Sequence, residues 1–157
     1  MNYSLFFDRK PKEVAHDLLG RYLAVTPNSK KSTRVNICEI TEVGAYKGDL
    51  DLPSRNGMLY APGKLFLMRY RGGILFNIAT GREGEPACVE IRGARFGEGN
   101  VEGSGKIANL LGLDGRLDGH DFKEIFRLGG EPVAKRAIIS LKGKSENCLG
   151  YFTFRRS

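Results

Sequence analysis

The sequence of 157 residues predicts an α+β fold built on a mainly antiparallel sheet. Strand-like runs outnumber helical ones, and turns rather than crossover helices join most of them. Arg71-Gly72-Gly73 stands between two apolar runs, the pattern of a β-hairpin. No repeat, low-complexity tract or linker divides the chain, so residues 1–157 read as a single domain.

Taken in order, Phe6 to Leu19 is amphipathic, with Pro11 suited to a first turn and Gly20 as a stop. Arg21 to Val25 reads as a short strand, and Pro27 to Thr33 as a polar loop. Val35 to Glu42 alternates, placing Val35, Ile37, Glu39 and Thr41 on one face and Asn36, Cys38, Ile40 and Glu42 on the other. Gly44 to Gly63 reads as loop. Lys64 to Tyr70 and Ile74 to Ala79 form the hairpin arms, and Ala87 to Arg92 is a strand with Cys88, Glu90 and Arg92 on one face. Glycines dominate Gly93 to Gly105. A helix follows over Lys106 to Leu111, then strands at Val133 to Leu141 and Tyr151 to Phe154.

Hydrophobic residues make up 41% of the chain, which supports a packed core and excludes a disordered chain. The longest apolar run is too short for a membrane span, and Met1 to Lys10 lacks the apolar segment of a secretory signal. An intracellular protein is expected, cytoplasmic in a prokaryote or nuclear in a eukaryote. Cys38, Cys88 and Cys148 are an odd count without short spacing, and there are two histidines, so neither a disulfide framework nor a metal centre is expected. Cys38 and Cys88 read as buried free thiols.

Twenty-five Lys and Arg against 18 acids give a net charge of +7. The excess is scattered in small groups, which folding could gather into a basic face for a polyanion. Gly103-Ser104-Gly105-Lys106 fails the Walker pattern, because Asn100 stands where Gly should and Ile107 where Ser or Thr should. It reads instead as a glycine-rich helix entry, with Ser104 and Lys106 either holding one backbone phosphate or merely starting a helix. Arg69-Tyr70-Arg71 puts an aromatic ring between two cations at the hairpin tip. That ring is either a plain surface residue or a wedge for a base stack, the arginines holding phosphates. His16 and His120 have no partners at triad or metal spacing.

Laid out this way, the chain resembles the alkyladenine (3-methyladenine) DNA glycosylase family. The matching segments, in the family's order, are Ala15 to Gly20, Glu39 to Gly48 (EITEVGAYKG), Ser54 to Gly63 (SRNGMLYAPG), Leu65 to Asn77, Ala87 to Arg92 (ACVEIR) and Gly103 to Leu113. The resemblance implies a curved sheet with flanking helices and a protruding DNA-binding hairpin. It also implies a monomeric, cofactor-free hydrolase that flips alkylated purines such as 3-methyladenine and 7-methylguanine out of duplex DNA and cuts the N-glycosidic bond. Chemistry on a stacked base requires that extrusion. By position, Tyr70 matches the family's intercalating tyrosine, Tyr46 an aromatic that stacks on the flipped base, Asn77 the residue that disfavours guanine, and Arg92 the arginine near the catalytic water. Arg55, Arg69, Arg71, Ser104 and Lys106 are the expected backbone contacts.

The departures from the family concern the chemistry. Its base lies two residues before the pocket tyrosine, where this chain has Gly44. Treating Val43-Gly44 as an insertion makes Glu42 the base, which is the preferred alignment; without the insertion the base is lost. Glu39 is then expected on the opposite face, and Gly44 is expected to let the chain turn. The family's pocket histidine has no counterpart, Leu67 takes the place of a second stacking aromatic, and Glu90 that of a pocket leucine. Glu90 would favour a cationic base, or be neutralised by Arg92. No lysine matches a Schiff-base position. A catalytically silent binder of damaged DNA and an RNA- or formyl-group-handling domain of related fold are the alternatives.

Overall fold

Pro11 sets the N-terminal architecture. The computed structural model describes residues 1–26, 37–48, 60–82, 84–133, 136–140 and 148–156. In place of one helix from Phe6 it has two, α1 (Tyr3–Phe7) and α2 (Pro11–Leu18). The proline ring disfavours helical geometry at the residue before it, and Lys10 is extended with ψ 139°. The Asn2 side chain caps α1 by accepting the Leu5 amide at 3.2 Å. After α2 the chain turns at Gly20 with φ +89°, where a Cβ would lie 2.4 Å from Val133 Cγ1.

The strands are β1 (Tyr22–Val25), β2 (Ile37–Gly48), β3 (Leu65–Tyr70), β4 (Gly73–Ala79), β5 (Ala87–Phe96) and β6 (Gly99–Glu102). Helix α3 (Ser104–Leu110), a 3-10 turn (Gly115–Leu117), α4 (Phe122–Ile125), β7 (Phe126–Gly129), β8 (Arg136–Ser140) and β9 (Cys148–Arg156) complete the chain. Among the described residues, nine strands join one sheet, ordered β3-β4-β5-β2-β1-β7, with β6 beside β5, and β9 between β2 and β8. Every pairing between these strands is antiparallel. The α+β expectation therefore holds. The stretches read as loop at Gly44 to Gly48 and as glycine-rich at Gly93 to Glu102 are instead the second half of β2 and the β5–β6 hairpin.

The long strands β2 and β5 form the spine, and their ladder is irregular in its middle. Ile40 faces Ala94, Glu42 faces Gly93, and Val43 faces Ile91, so Thr41 on β2 and Arg92 on β5 are each extra. The two shifts cancel, and the ladder regains its original register. Both strands nevertheless change phase together: Cys38 and Ile40 are buried before the irregularity, Val43 and Ala45 after it. Strict alternation would place Glu42 in the core with Ile40; the double bulge places it with Gly44 and Tyr46 on the opposite face. At the same point β2 exchanges its other neighbour, β1 for β9.

One face of the sheet carries the core, covered by α1, α2, α3 and α4. Val14, Ala15, Leu18, Ile40, Val43, Leu65, Phe76, Val89, Ile91 and Ile107 pack there. A chain of rings crosses it: Phe7 meets Phe122 at 5.1 Å, Phe122 meets Phe126 at 5.3 Å, and Phe126 stacks on Phe76 at 5.3 Å. Phe122 touches three rings, Tyr3 and Phe7 of α1 and Phe126 of β7, and is fully buried. Phe122→Ala should lower unfolding stability by about 3–5 kcal/mol in denaturant titration. Leu5→Ala, at a side chain 67% exposed, should change it by no more than about 0.5 kcal/mol.

Candidate active site

The face opposite the core carries the polar chemistry. Glu42, Gly44 and Tyr46 lie along it on β2, beside Cys88, Glu90 and Arg92 on β5, with Asn77 on β4 in register with Glu90. Gly44 is mid-strand and is not the expected turn. A Cβ there would meet the Tyr46 ring at 2.9 Å and Arg92 Cδ at 3.1 Å, so the glycine leaves room for those side chains to cross over the strand. At Gly93 a Cβ would lie 2.9 Å from Glu42 Cβ, so a second glycine clears space for the carboxylate. The bulge also corrects the expectation for Glu39. It shares the polar face with Glu42, but is drawn to Arg95 by a cross-strand ion pair of 3.6 Å.

The Tyr46 phenol donates to Glu90 Oε1 at 2.6 Å, and Arg92 Nη1 donates to the Tyr46 oxygen at 3.1 Å. Arg92 Nη1 also lies 3.6 Å from Glu90 Oε1. Burial raises the Glu90 carboxyl above its ordinary value, and the Glu42 charge adds to the rise; Tyr46, Arg92 and Ser104 act in the other direction without cancelling it. Burial, and then Glu90, push the Tyr46 phenol up as well, so it remains a donor. Glu42 is half-buried. A neutral donor, a buried carboxyl, a guanidinium and a second carboxylate therefore share one patch of sheet.

A cavity of about 200 Å³ opens between β2, β3, β4 and β5, lined by Tyr46, Phe66, Met68, Tyr70, Leu75, Asn77, Cys88 and Glu90. Tyr46, Asn77 and Glu90, expected together in one pocket, all line this cavity. Leu67 is not: it is 5% exposed within the core, because alternation along β3 turns Phe66, Met68 and Tyr70 to the polar face. An aromatic surface is thus present in Phe66, which a strict period-two reading of the strand would have found. Cys88 is buried, as expected, and it also lines the cavity. A larger open cleft of about 880 Å³ lies at the end of β2 and contains neither Glu42, Glu90 nor Arg92.

The hairpin tip is a two-residue turn, Arg71-Gly72, with φ +47° and +77°, closed by Tyr70 opposite Gly73. The turn therefore sits one residue earlier than the Gly-Gly pair suggests. Tyr70 is 50% exposed at the cavity rim, with the Arg71 guanidinium 5.2 Å from its ring centre. Arg69 and Lys106 are exposed. Ser104 is not: it is 6% exposed and its hydroxyl accepts the Phe76 amide at 2.7 Å. Its side chain is therefore turned inward, which leaves only the backbone of the helix entry to meet a phosphate. Arg55 lies outside the described residues. Among the described residues, no group of three His, Cys, Asp or Glu side chains is placed to hold a metal ion, and no helix is long and apolar enough to cross a membrane.

Because Glu90 binds its proton more tightly folded than unfolded, its contribution to stability is full below the ordinary carboxylate value of 4.5. It is lost as pH rises through the higher folded value. Glu90→Gln is neutral at every pH and should remove that loss. The variant's stability relative to wild type should therefore increase from acid to neutral pH in parallel unfolding titrations. A difference constant with pH would contradict the assignment of a raised carboxyl to Glu90.

A family model described as methylpurine-DNA glycosylase (MPG) matches residues 5–142. A relative from Lactiplantibacillus plantarum is 30% identical over 131 residues, covering 68% of this chain and 61% of its own. One from Streptomyces avermitilis is 31% identical over 143 residues, covering 74% and 65%. One from Nitrosococcus oceani is 31% identical over 157 residues, covering 82% and 74%. Their names give all three, provisionally, as 3-methyladenine DNA glycosylases. The chain spans less than two thirds of the length of the first two. With the family model matched over most of its residues, the chain belongs to the methylpurine-DNA glycosylase family.

Proposed function

We propose that the protein is a monofunctional glycosylase that acts as a monomer on duplex DNA and releases alkylated purines by hydrolysis. The observation that carries this reading is the convergence of Glu42, Tyr46, Glu90 and Arg92 on the polar face, beside a cavity rimmed by an exposed tyrosine on a basic hairpin. The flipped base enters the cavity against Tyr46 and Phe66, and Tyr70 fills the gap it leaves in the stack. Arg69, Arg71 and Lys106 contact phosphates on the same face of the complex.

In the chemical step Glu42 accepts a proton from water as the water oxygen bonds to C1′ of the sugar. The C1′–N9 bond breaks and its electron pair moves onto the purine. An alkylated purine is already cationic, so it leaves as a neutral base without prior protonation. Arg92, held against the Tyr46 phenol, orients the water and balances the two carboxylates. Glu90 faces the base rather than the sugar and favours a cationic lesion. N3-methyladenine and N7-methylguanine should therefore be excised much faster than hypoxanthine in single-turnover assays, and equal rates would remove Glu90 from the specificity argument.

Glu42→Gln should reduce single-turnover excision by several orders of magnitude while leaving DNA affinity nearly unchanged. Glu90→Gln should alter the preference among lesions more than the rate. Full activity in Glu42→Gln with loss in Glu90→Gln would transfer the base role to β5. Absence of excision by the wild type would leave a silent binder of damaged DNA, and absence of any preference for damaged DNA would favour the RNA- or formyl-group-handling alternative.

Tyr70→Ala should weaken binding to duplex with a flipped base by a few kcal/mol, about the cost of unstacking one step, and have far less effect on undamaged duplex. Arg71→Ala should weaken both alike and reduce the salt dependence of binding by about one ion. Equal losses for Tyr70→Ala on the two duplexes would exclude the wedge.

A further inference from the structure

Asn77 and Glu90 are cross-strand neighbours on β4 and β5, and both side chains line the cavity. Each is more than nine-tenths buried, Asn77 at 4% exposure and Glu90 at 6%. Glu90 is partnered: its Oε1 accepts the Tyr46 phenol at 2.6 Å and lies 3.6 Å from Arg92 Nη1. A carboxylate has about four acceptor sites, so capacity remains for further donors. The Asn77 side-chain amide makes no hydrogen bond among the described residues, although an amide enclosed in this way ordinarily finds one. The cavity wall thus presents an acceptor beside an amide whose hydrogen-bonding capacity the protein leaves unused.

We propose that Glu90 and Asn77 together read the Watson–Crick edge of the flipped base and select N7-alkylated guanine over alkylated adenine and hypoxanthine. The inference rests on the glycosylase reading above and deepens it. A guanine edge offers two donors, N1–H and the exocyclic amine, beside the O6 acceptor. Glu90 takes both donors and the Asn77 amide donates to O6, from side chains that the antiparallel register sets about 5 Å apart at Cβ. An adenine edge turns an acceptor, N1, towards the carboxylate, and hypoxanthine lacks the amine. Asparagine alone disfavours guanine, as the resemblance implies, because the amine is buried without an acceptor. Glu90, standing where the family has a leucine, supplies that acceptor. Charge alone does not make this distinction, since N7-alkylation renders all three bases cationic.

The test uses two duplexes whose lesions differ only in the exocyclic amine, N7-methylguanine and N7-methylhypoxanthine. Single-turnover excision of each is divided by its spontaneous release from the same duplex without protein. Normalised excision of N7-methylguanine should be faster by about tenfold or more, the scale of a hydrogen bond to a charged group. Glu90→Gln should bring that ratio close to one, and Glu90→Leu serves in its place if the glutamine variant does not fold. Asn77→Ala should slow both lesions, which share O6. A ratio at or below one in the wild type, an unchanged ratio in Glu90→Gln, or faster excision of N7-methylguanine in Asn77→Ala overturns the proposal. If the wild type excises neither lesion, the glycosylase reading fails by itself. The edge-reading claim is then decided by NMR titration of the Asn77 amide with the two free bases. Tighter binding of N7-methylguanine, lost in Glu90→Gln, supports it, and equal binding or none overturns it.

Discussion

The antiparallel pairing of β2 with β5, and the paired slip at Thr41 and Arg92, is the constraint on which the rest of the molecule depends. These two strands hold the core on one face and the polar site on the other. An uninterrupted ladder would keep a single phase from Cys38 onward and turn Glu42 into the apolar core, at the cost of desolvating its charge. Adding one residue to each strand preserves the register at both ends while exchanging the faces between them. The backbone of the bulge is held from the side as well, since the Arg92 carbonyl accepts the amide of Gly103 at 2.8 Å, just ahead of α3. The irregularity is thus fixed by the same segment that delivers Ser104.

Around that irregularity the site is built more by omission than by addition. Gly44 and Gly93 lack the side chains that would collide with Tyr46, Arg92 and Glu42. The space is used for a network whose electrostatics oppose stability. A buried carboxyl with a raised proton affinity penalises the folded state at neutral pH, and its hydrogen bonds reduce that penalty without removing it. Such groups persist where they serve a site, because an apolar residue in the same place would pack at lower cost. Stability comes instead from the opposite face, where Phe7, Phe122, Phe126 and Phe76 link α1, α4 and β7 to β4.

Much of the fold was legible because hydrophobic period and turn residues are local signals. Gly20, the β3–β4 hairpin and the shared face of Cys88, Glu90 and Arg92 lie where local chemistry puts them, with the hairpin turn itself one residue earlier. Glu42, Tyr46, Asn77, Glu90 and Arg92 are singled out by the resemblance to the glycosylase family, and folding gathers them on one face of the sheet. Other positions were not legible. A bulge leaves no compositional mark in EITEVG, so the faces of Glu39 and Glu42 were misread as opposite. Leu67 is placed in the pocket by the resemblance, as the counterpart of a second stacking aromatic, and the period of two in β3 turns Phe66 to the cavity instead. Ser104 resembles a phosphate contact because glycine flanks it on both sides; only the tertiary approach of β4 shows that its side chain faces inward.

The central claim is that the double bulge presents Glu42 to the sugar and leaves Glu90 to the base. A crystal structure of the protein on duplex DNA containing an abasic-site mimic tests it most directly. The expected result is Tyr70 in the gap of the stack, with the Glu42 carboxylate about 3 Å from an ordered water on the C1′ face. Glu90 should remain behind Tyr46, on the side of the missing base. Glu90 bonded to that water, with Glu42 directed away from the sugar, would contradict the claim.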